Sequence, residues 1–167
     1  TLEAWDIQLV KYGSEIIRYR KDFIMHLNQI IRNIHRRLTG NQEEICIEYE
    51  NSVEYDSFLT ELTKKRAVDL KYATTNAGPH RDDIRFIVNG IDIRKFGSQG
   101  QQRTAALSLK LAQIQLVREI LKDSPILLLD DVLSELDSSR KIYLLEGIKD
   151  IQTLITCTGL DEFIYQH

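Results

Sequence analysis

Apolar positions in the first forty residues recur every three or four places. After Gly13, residues Ile16, Ile17, Phe23, Ile24, Leu27, Ile30, Ile31, Ile34 and Leu38 keep a helical period, so Leu2–Leu38 is predicted to be mostly helical. Gly40-Asn41 supplies the stop signal. The stripe is wider than a two-stranded coiled-coil seam, which points to packing within a small helical lobe rather than a long rod. The period then shortens to two. In Glu43–Glu50, Ile45, Ile47 and Tyr49 face one way and acids the other, the pattern of a strand with one wet face. Tyr55–Tyr72 returns to helix, with Phe58, Leu59, Leu62 and Val68 expected inward. The small, polar stretch Thr74–His80 contains Gly78-Pro79 and reads as a break between parts of the chain. Beyond it, Ile84–Val88 and Ile91–Arg94 flank Asn89-Gly90, the signal of a hairpin with a type I′ turn.

The second half is organised around Phe96–Asp137. Gly97-Ser98-Gln99-Gly100-Gln101-Gln102 forms a polar turn at the mouth of a helix, where backbone N–H groups and the positive dipole end favour an anion. The helix runs to about Lys122, with Ala105, Leu109, Ala112, Leu116 and Ile120 spaced for burial. Pro125 ends the pattern, and Ile126–Leu129 reads as a strand buried on both faces. It leads into Asp130-Asp131. Two carboxylates at the end of an apolar strand are costly unless a cation or a proton transfer uses them; the structural alternative is that they cap the next helix. After Ser134–Asp137, Ser138–Lys149 is an amphipathic helix capped by Asp137 or Ser138, and Gln152–Thr156 is a last strand. Strand, helix, strand in that order implies a right-handed parallel crossover at one edge of an α/β sheet.

Composition narrows the class. The chain has 167 residues, enough for one ordinary domain or parts of two, and it is 43% hydrophobic and 28% charged, as a globular protein is. No apolar run approaches the roughly 18–20 residues of a membrane span, and Glu3 and Asp6 interrupt any secretory core. A start at Thr1 suggests a fragment. Cys46 and Cys157 stand in no paired motif, which fits reduced thiols in a cytoplasm. The net charge of −3 argues against polyanion binding by the whole surface but leaves room for a local patch. Arg18, Arg20, Lys21, Arg32, Arg36 and Arg37 lie off the apolar stripe of the first helix. They are either a solvated face or phosphate contacts along a duplex. Lys64-Lys65-Arg66 reads as a solvated cluster.

In this order and spacing, the motifs resemble the second half of an ABC-type ATPase head of the SMC and RecF kind. Ser98-Gln99-Gly100-Gln101 matches the signature motif, Ile126–Asp131 the Walker B strand and Ser134–Asp137 the D-loop. The run Ser98–Thr104 (SQGQQRT), with Gly78–Asp83 (GPHRDD) upstream, points to the RecF family. The resemblance covers roughly residues 77–158 well and the earlier helices loosely. It implies an α/β fold with a helical arm: residues 1–76 as a mainly helical arm or lobe, and 77–167 as the C-terminal part of the head. It also implies that Asp130 holds Mg²⁺, largely through water, and that Asp131 polarises the attacking water. Thr158 stands where a histidine commonly senses the γ-phosphate, and Asp137 belongs to the nucleotide site. Ser98, Gln99, Gly100 and Gln101 would cover the ATP of a second protomer. Aspartate at 131 is one methylene shorter than the usual glutamate, and threonine at 158 cannot carry charge. Both departures suggest a slow timing switch.

The activity implied is that of a weak DNA-dependent ATPase, dimerising on ATP and acting with RecR and RecO at double-stranded or gapped DNA to place RecA. No Gly-x-x-x-x-Gly-Lys-Ser/Thr loop occurs, so this chain alone is expected to bind ATP poorly and to be inactive. The family's phosphate loop would lie N-terminal to Thr1. Three other readings compete: a RecN-type or other SMC-like head, which the wide stripe disfavours; a non-enzymatic interaction module; and a metal-dependent nuclease, which lacks a third convergent ligand. His80 and Arg81 have no evident mechanism and are expected to pair with Asp82 or Asp83.

Overall fold

A computed structural model describes residues 2–157. They form two compact units, one built from Thr1–Asn28 and Cys46–Gly97, the other from Gln29–Ile45 and from Ser98 onward. The predicted first helix, α1, spans Leu2–Leu38, and contributes its residues to Asn28 to the first unit and the remainder to the second. The break expected at residues 74–80 lies inside the first unit.

In the first unit, strands β1 (Ile45–Glu50), β2 (Asp83–Val88) and β3 (Ile91–Asp92) lie side by side in that order. The hairpin is as predicted: β2 and β3 pair antiparallel, and Asn89 (φ 49°) and Gly90 (φ 80°) both adopt the left-handed backbone a type I′ turn demands. Strand β3 is shorter than expected. The Asp92 side chain accepts a hydrogen bond from Arg94 N, which starts the helical turn α3 (Ile93–Phe96). Helix α2 (Phe58–Tyr72) brings Phe58 and Leu62 onto Ile17, Val53 and Ala77. Gly13 permits that packing, because a Cβ there would stand 2.7 Å from Phe58 Cε1.

The inward stripes are narrower than predicted. Ile16, Phe23, Leu59 and Val68 are exposed, and Ile16 and Leu59 each lie one helical step from a buried neighbour, Ile17 and Phe58. His80 and Arg81 also differ from expectation. His80 Nε2 lies 2.7 Å from Thr75 O, and Arg81 donates to Thr75 O and Thr74 Oγ1. Asp82 instead accepts from Ser52 N and the Tyr49 hydroxyl, while Asp83 pairs with Arg94.

In the second unit, helix α4 (Gln99–Leu121) packs a face of Ala105, Leu107, Leu111, Ala112 and Leu116. Leu109 is only half-buried and Ile120 is exposed, since the helix runs on beyond its last buried residue, Leu116. Strands β4 (Leu127–Asp130) and β5 (Thr153–Thr156) pair in parallel, with helix α5 (Ser138–Ile148) in the crossover between them. Leu129 of β4 joins Leu107, Leu111, Leu133, Leu144 and Ile148 in the core. The expectation of burial on both faces fails: Ile126 is 61% exposed, Leu128 71%, and Leu154, the cross-strand partner of Leu128, 60%. Only one face of the described two-stranded ladder carries the helices' apolar side chains, so alternate residues face outward.

Candidate functional site

The candidate chemistry begins where α4 starts. Gly97 has no room for a side chain: a Cβ would lie 2.6 Å from Ile93 O. Ser98 is the N-cap, and its hydroxyl accepts from Gln101 N at 3.2 Å while Gln101 Oε1 accepts from Ser98 N at 3.0 Å. This reciprocal capping box satisfies two helix-end donors. Helix geometry supplies no acceptor for the amides of Gln99 and Gly100, which lie ahead of the first complete turn. Gly100 contrasts with Gly97. A Cβ on Gly100 would meet only Ser98 Oγ, at 3.8 Å, so internal packing does not require glycine and the space over the turn is open.

Gln101 is tied at both ends of its amide. Its Nε2 donates to Glu43 Oε1 at 3.0 Å. Glu43 Oε2 in turn lies 3.3 Å from Nε2 of His35, a fully buried imidazole whose Nδ1 lies 2.9 Å from Ser108 Oγ. Burial pushes the His35 pKa down; Glu43 opposes this, and the Arg140 charge on α5 adds to the lowering. Sequence reasoning missed this set. Its signal was present: His35 falls within the helical register of Ile31 and Leu38, and Ser108 lies on the buried face of α4.

The acidic pair stands at the C-terminal end of β4. Thr156, its partner on β5, holds both residues. Thr156 Oγ1 donates to Asp130 Oδ1 at 2.5 Å and accepts from Asp131 N at 3.0 Å, while Thr156 O takes the same amide at 3.1 Å. Asp131 adopts a left-handed backbone, φ 51° and ψ 21°. Both side chains are exposed. Asp131 makes no side-chain cap to the following 3₁₀ turn (Val132–Glu135), and the next α-helix is capped by Asp137, which accepts from Arg140 N at 3.0 Å. The capping alternative therefore has no support from these bonds. Asp137 also pairs with Arg140 Nη1 at 2.7 Å, and Ser134 Oγ donates to Asp131 O at 2.8 Å. The structure thus joins Asp130 and Asp131 through Thr156, and Ser98 to Gln101 through the cap. Thr158 lies outside the described residues.

The basic positions on α1 are partly occupied by neighbours. Arg20 donates to Pro79 O and lies 3.7 Å from Asp82, Lys21 pairs with Glu54 at 3.1 Å, and Arg36 pairs with Glu44. In the second cluster Lys64 pairs with Glu61, Lys65 donates to Asn76 O and Arg66 pairs with Asp6. Among the described residues neither Cys46 nor Cys157 forms a disulfide, and no helix is long and apolar enough to cross a membrane.

No family model matches the chain. Curated relatives do. The chain is 58% identical over 164 residues to the DNA replication and repair protein RecF of Lachnospira eligens, covering 98% of this chain and 45% of that protein. It is 45% identical over 166 residues to RecF of Clostridium perfringens (strain 13), covering 96% and 46% respectively. The chain thus spans about half the length of the curated relatives it matches. Among solved structures, that of the recombination mediator protein RecF-ATP in the RecFOR pathway superposes with a TM-score of 0.83 at 37% identity, over 96% of this chain and 45% of that one. The corresponding RecF-ATPrS structure also gives 0.83 at 37% identity. With this agreement in sequence and in fold over nearly all of its residues, the chain belongs to the RecF family and has the architecture of the C-terminal half of an ABC-type ATPase head.

Proposed function

We propose that this chain supplies the signature turn, acidic pair and D-loop of a DNA-repair ATPase whose heads close in pairs around ATP. One observation carries the reading: Asp130 and Asp131, at the end of a parallel strand, are held by Thr156 of the neighbouring strand, and capping duty falls to Asp137 instead. Residues 77–167 would carry the head functions and residues 1–76 the arm.

The residues fit a magnesium nucleotide. Mg²⁺ is bound through one or two carboxylates and keeps several waters. Among the described residues no cluster of three or more His, Cys, Asp or Glu is poised for a metal, so Asp130 would be the protein ligand, with water and phosphate oxygens for the rest. Bound there, the ion would neutralise charge on the β and γ oxygens. Thr156 fixes Asp130 through Oδ1, so Oδ2 would serve the ion. Asp131 polarises the attacking water, and Thr158 offers a hydroxyl to the γ-phosphate. Asp137, in the D-loop, caps the start of α5 and would belong to the nucleotide site. Across the dimer interface, the Ser98 hydroxyl and the amides of Gln99 and Gly100 cover the partner's γ-phosphate, while Gln101 holds the turn in shape.

Double-stranded or gapped DNA, with RecR and RecO as partners in a bacterial cytoplasm, is the setting we infer. The placing of recombination mediator RecF structures in the RecFOR pathway supports it. The phosphate-cradling loop is not in this sequence, so the chain alone should bind ATP only weakly. The test is DNA-stimulated hydrolysis by the full-length protein. Asp131→Asn should remove turnover while sedimentation still shows ATP-dependent dimers; undiminished turnover refutes the assignment.

A further inference from the structure

Among the described residues of the second unit, the imidazole of His35 is the buried titratable group, and the nucleotide reading leaves it unused. It stands at the inner end of a chain of polar contacts whose one link outside hydrogen-bond geometry is that between His35 Nε2 and Glu43. From the core outward the chain runs Ser108 Oγ to His35 Nδ1 (2.9 Å), His35 Nε2 to Glu43 Oε2 (3.3 Å), Glu43 Oε1 to Gln101 Nε2 (3.0 Å) and Gln101 Oε1 to Ser98 N (3.0 Å). A second, shorter route returns through α4 itself: Ser108 Oγ reaches Thr104 O at 2.7 Å, and Thr104 Oγ1 reaches Gly100 O at 2.7 Å. Both routes end in the signature turn, and they hold together only if Ser108 gives its single proton to Thr104 O and accepts from His35 Nδ1.

We propose that His35 and Glu43 are positioning residues for that turn, setting Ser98 through the side chain of Gln101. The inference rests on the reading of Ser98–Gln101 as a phosphate-covering turn. Ser98 N–H donates and therefore needs the oxygen end of the Gln101 amide, which leaves the nitrogen end to find an acceptor. The carboxylate of Glu43 reinforces that orientation by taking the nitrogen end, because it accepts hydrogen bonds and cannot donate them. Glu43 needs its own anchor, and His35 supplies it from within the core.

Proton counting shows how the anchor works. Ser108 has one hydroxyl proton. Given to His35 Nδ1, it leaves the neutral ring's proton on Nε2, aimed at Glu43. Given instead to Thr104 O, it requires the ring to donate from Nδ1, and Nε2 then meets the carboxylate only if a second proton is added. The charged groups that face the ring are Glu43, from the segment after α1, and Arg140, from α5. Thr104 O can only accept and lies 2.7 Å from Ser108 Oγ, so the second arrangement fits the geometry: the ring donates from Nδ1 to Ser108. Nε2 lies 3.3 Å from Glu43 as an ion-pair contact outside hydrogen-bond geometry, with burial and Arg140 favouring the neutral ring and Glu43 the protonated one.

Conservative replacement separates positioning from mere packing. Glu43→Ala removes the acceptor that orients Gln101. Glu43→Gln keeps an oxygen for Gln101 and turns its NH₂ to His35 Nε2, which accepts it when the ring is neutral with its proton on Nδ1. The measurements are hydrogen exchange across residues 97–104 in the full-length protein, the ¹⁵N shifts of labelled histidine, and the concentration of ATPγS with Mg²⁺ giving half-maximal dimerisation. For Glu43→Ala we expect exchange about tenfold faster and a matching rise in the ATPγS requirement, the worth of one charge-assisted hydrogen bond. Glu43→Gln should restore both and hold His35 as the neutral ring with its proton on Nδ1. Gln101→Met should reproduce Glu43→Ala, and the double variant should add nothing further, as for residues acting in series. Exchange unchanged in Glu43→Ala, or Glu43→Gln as impaired as Glu43→Ala, overturns the inference. Should Glu43→Ala fail to fold, Gln101→Met with unchanged exchange overturns it. Faster exchange with an unchanged ATPγS requirement upholds the positioning role and refutes the phosphate-covering role of the turn.

Discussion

Thr156 was not among the residues singled out by motif, yet its hydroxyl is the physical link between the two acidic residues. Thr156→Val removes that hydroxyl and almost nothing else, since valine matches threonine in shape and suits a strand. Two bonds go: the 2.5 Å donation to Asp130 Oδ1 and the 3.0 Å acceptance from Asp131 N. The second is cheap, because Asp131 N keeps Thr156 O at 3.1 Å. The first involves a carboxylate, a class worth about 1.5–3 kcal/mol, and solvent exposure at the strand end reduces it to about 1 kcal/mol. Urea unfolding of Thr156→Val should therefore show a lower midpoint at unchanged slope. The larger effect should fall on turnover by the full-length protein, because Asp130 loses the bond that fixes its rotamer; a misplaced ligand of this kind costs on the order of tenfold or more. Thr156→Ser, which keeps the hydroxyl, should retain most of both. If Val and Ser variants fall equally, or if turnover of the valine variant stays within about twofold of the parent, Thr156 does not hold the pair as argued.

Three further outcomes are expected. Ser98→Arg should leave ATP binding by a full-length monomer nearly intact and abolish ATP-dependent dimerisation in sedimentation, because a bulky cation fills the turn meant for the partner's phosphate; dimers that persist would reduce Ser98 to a helix cap. Gly97→Ala should destabilise by about 1–3 kcal/mol in thermal melts, since its Cβ would meet the fixed backbone of Ile93 at 2.6 Å, whereas Gly100→Ala, which meets nothing closer than 3.8 Å, should leave the melt unmoved. The pH response follows from His35, whose folded pKa lies below its ordinary 6.5. The unfolded chain binds that proton first, so the contribution is complete above about pH 6.5 and is lost as pH falls toward the folded value; urea midpoints should decline on acidification, and His35→Gln should flatten the decline.

Period and punctuation made most of the elements legible. Asn89-Gly90 and the α1 stripe are local signals, and local geometry obeyed them. The failures share a cause. Leu128 and Leu154 looked like core residues because apolar content alone does not say which faces are covered. The site divides in the same way. Ser98, Asp130 and Asp131 were candidates from motif order, while Thr156 and the set formed by His35, Glu43 and Ser108 depend on pairings up to 73 residues apart, to which no motif points. Asp131 is a case in which the backbone explains a departure. Its left-handed conformation suits aspartate, whose short side chain bonds locally, better than the glutamate usual at this place in related ATPases.

The outward row of Ile126, Leu128 and Leu154 has a colloidal consequence. Side chains this apolar, on the outward face of a ladder of two described strands, make a template for attachment between copies of the chain. Such clumping needs no nucleotide, strengthens with sulfate and yields to mild detergent. Dimers driven by ATP should respond in neither way. A light-scattering series with and without ATP therefore tells the two kinds of association apart, and Leu128→Thr with Leu154→Thr should keep this chain dispersed while leaving the acidic pair in place.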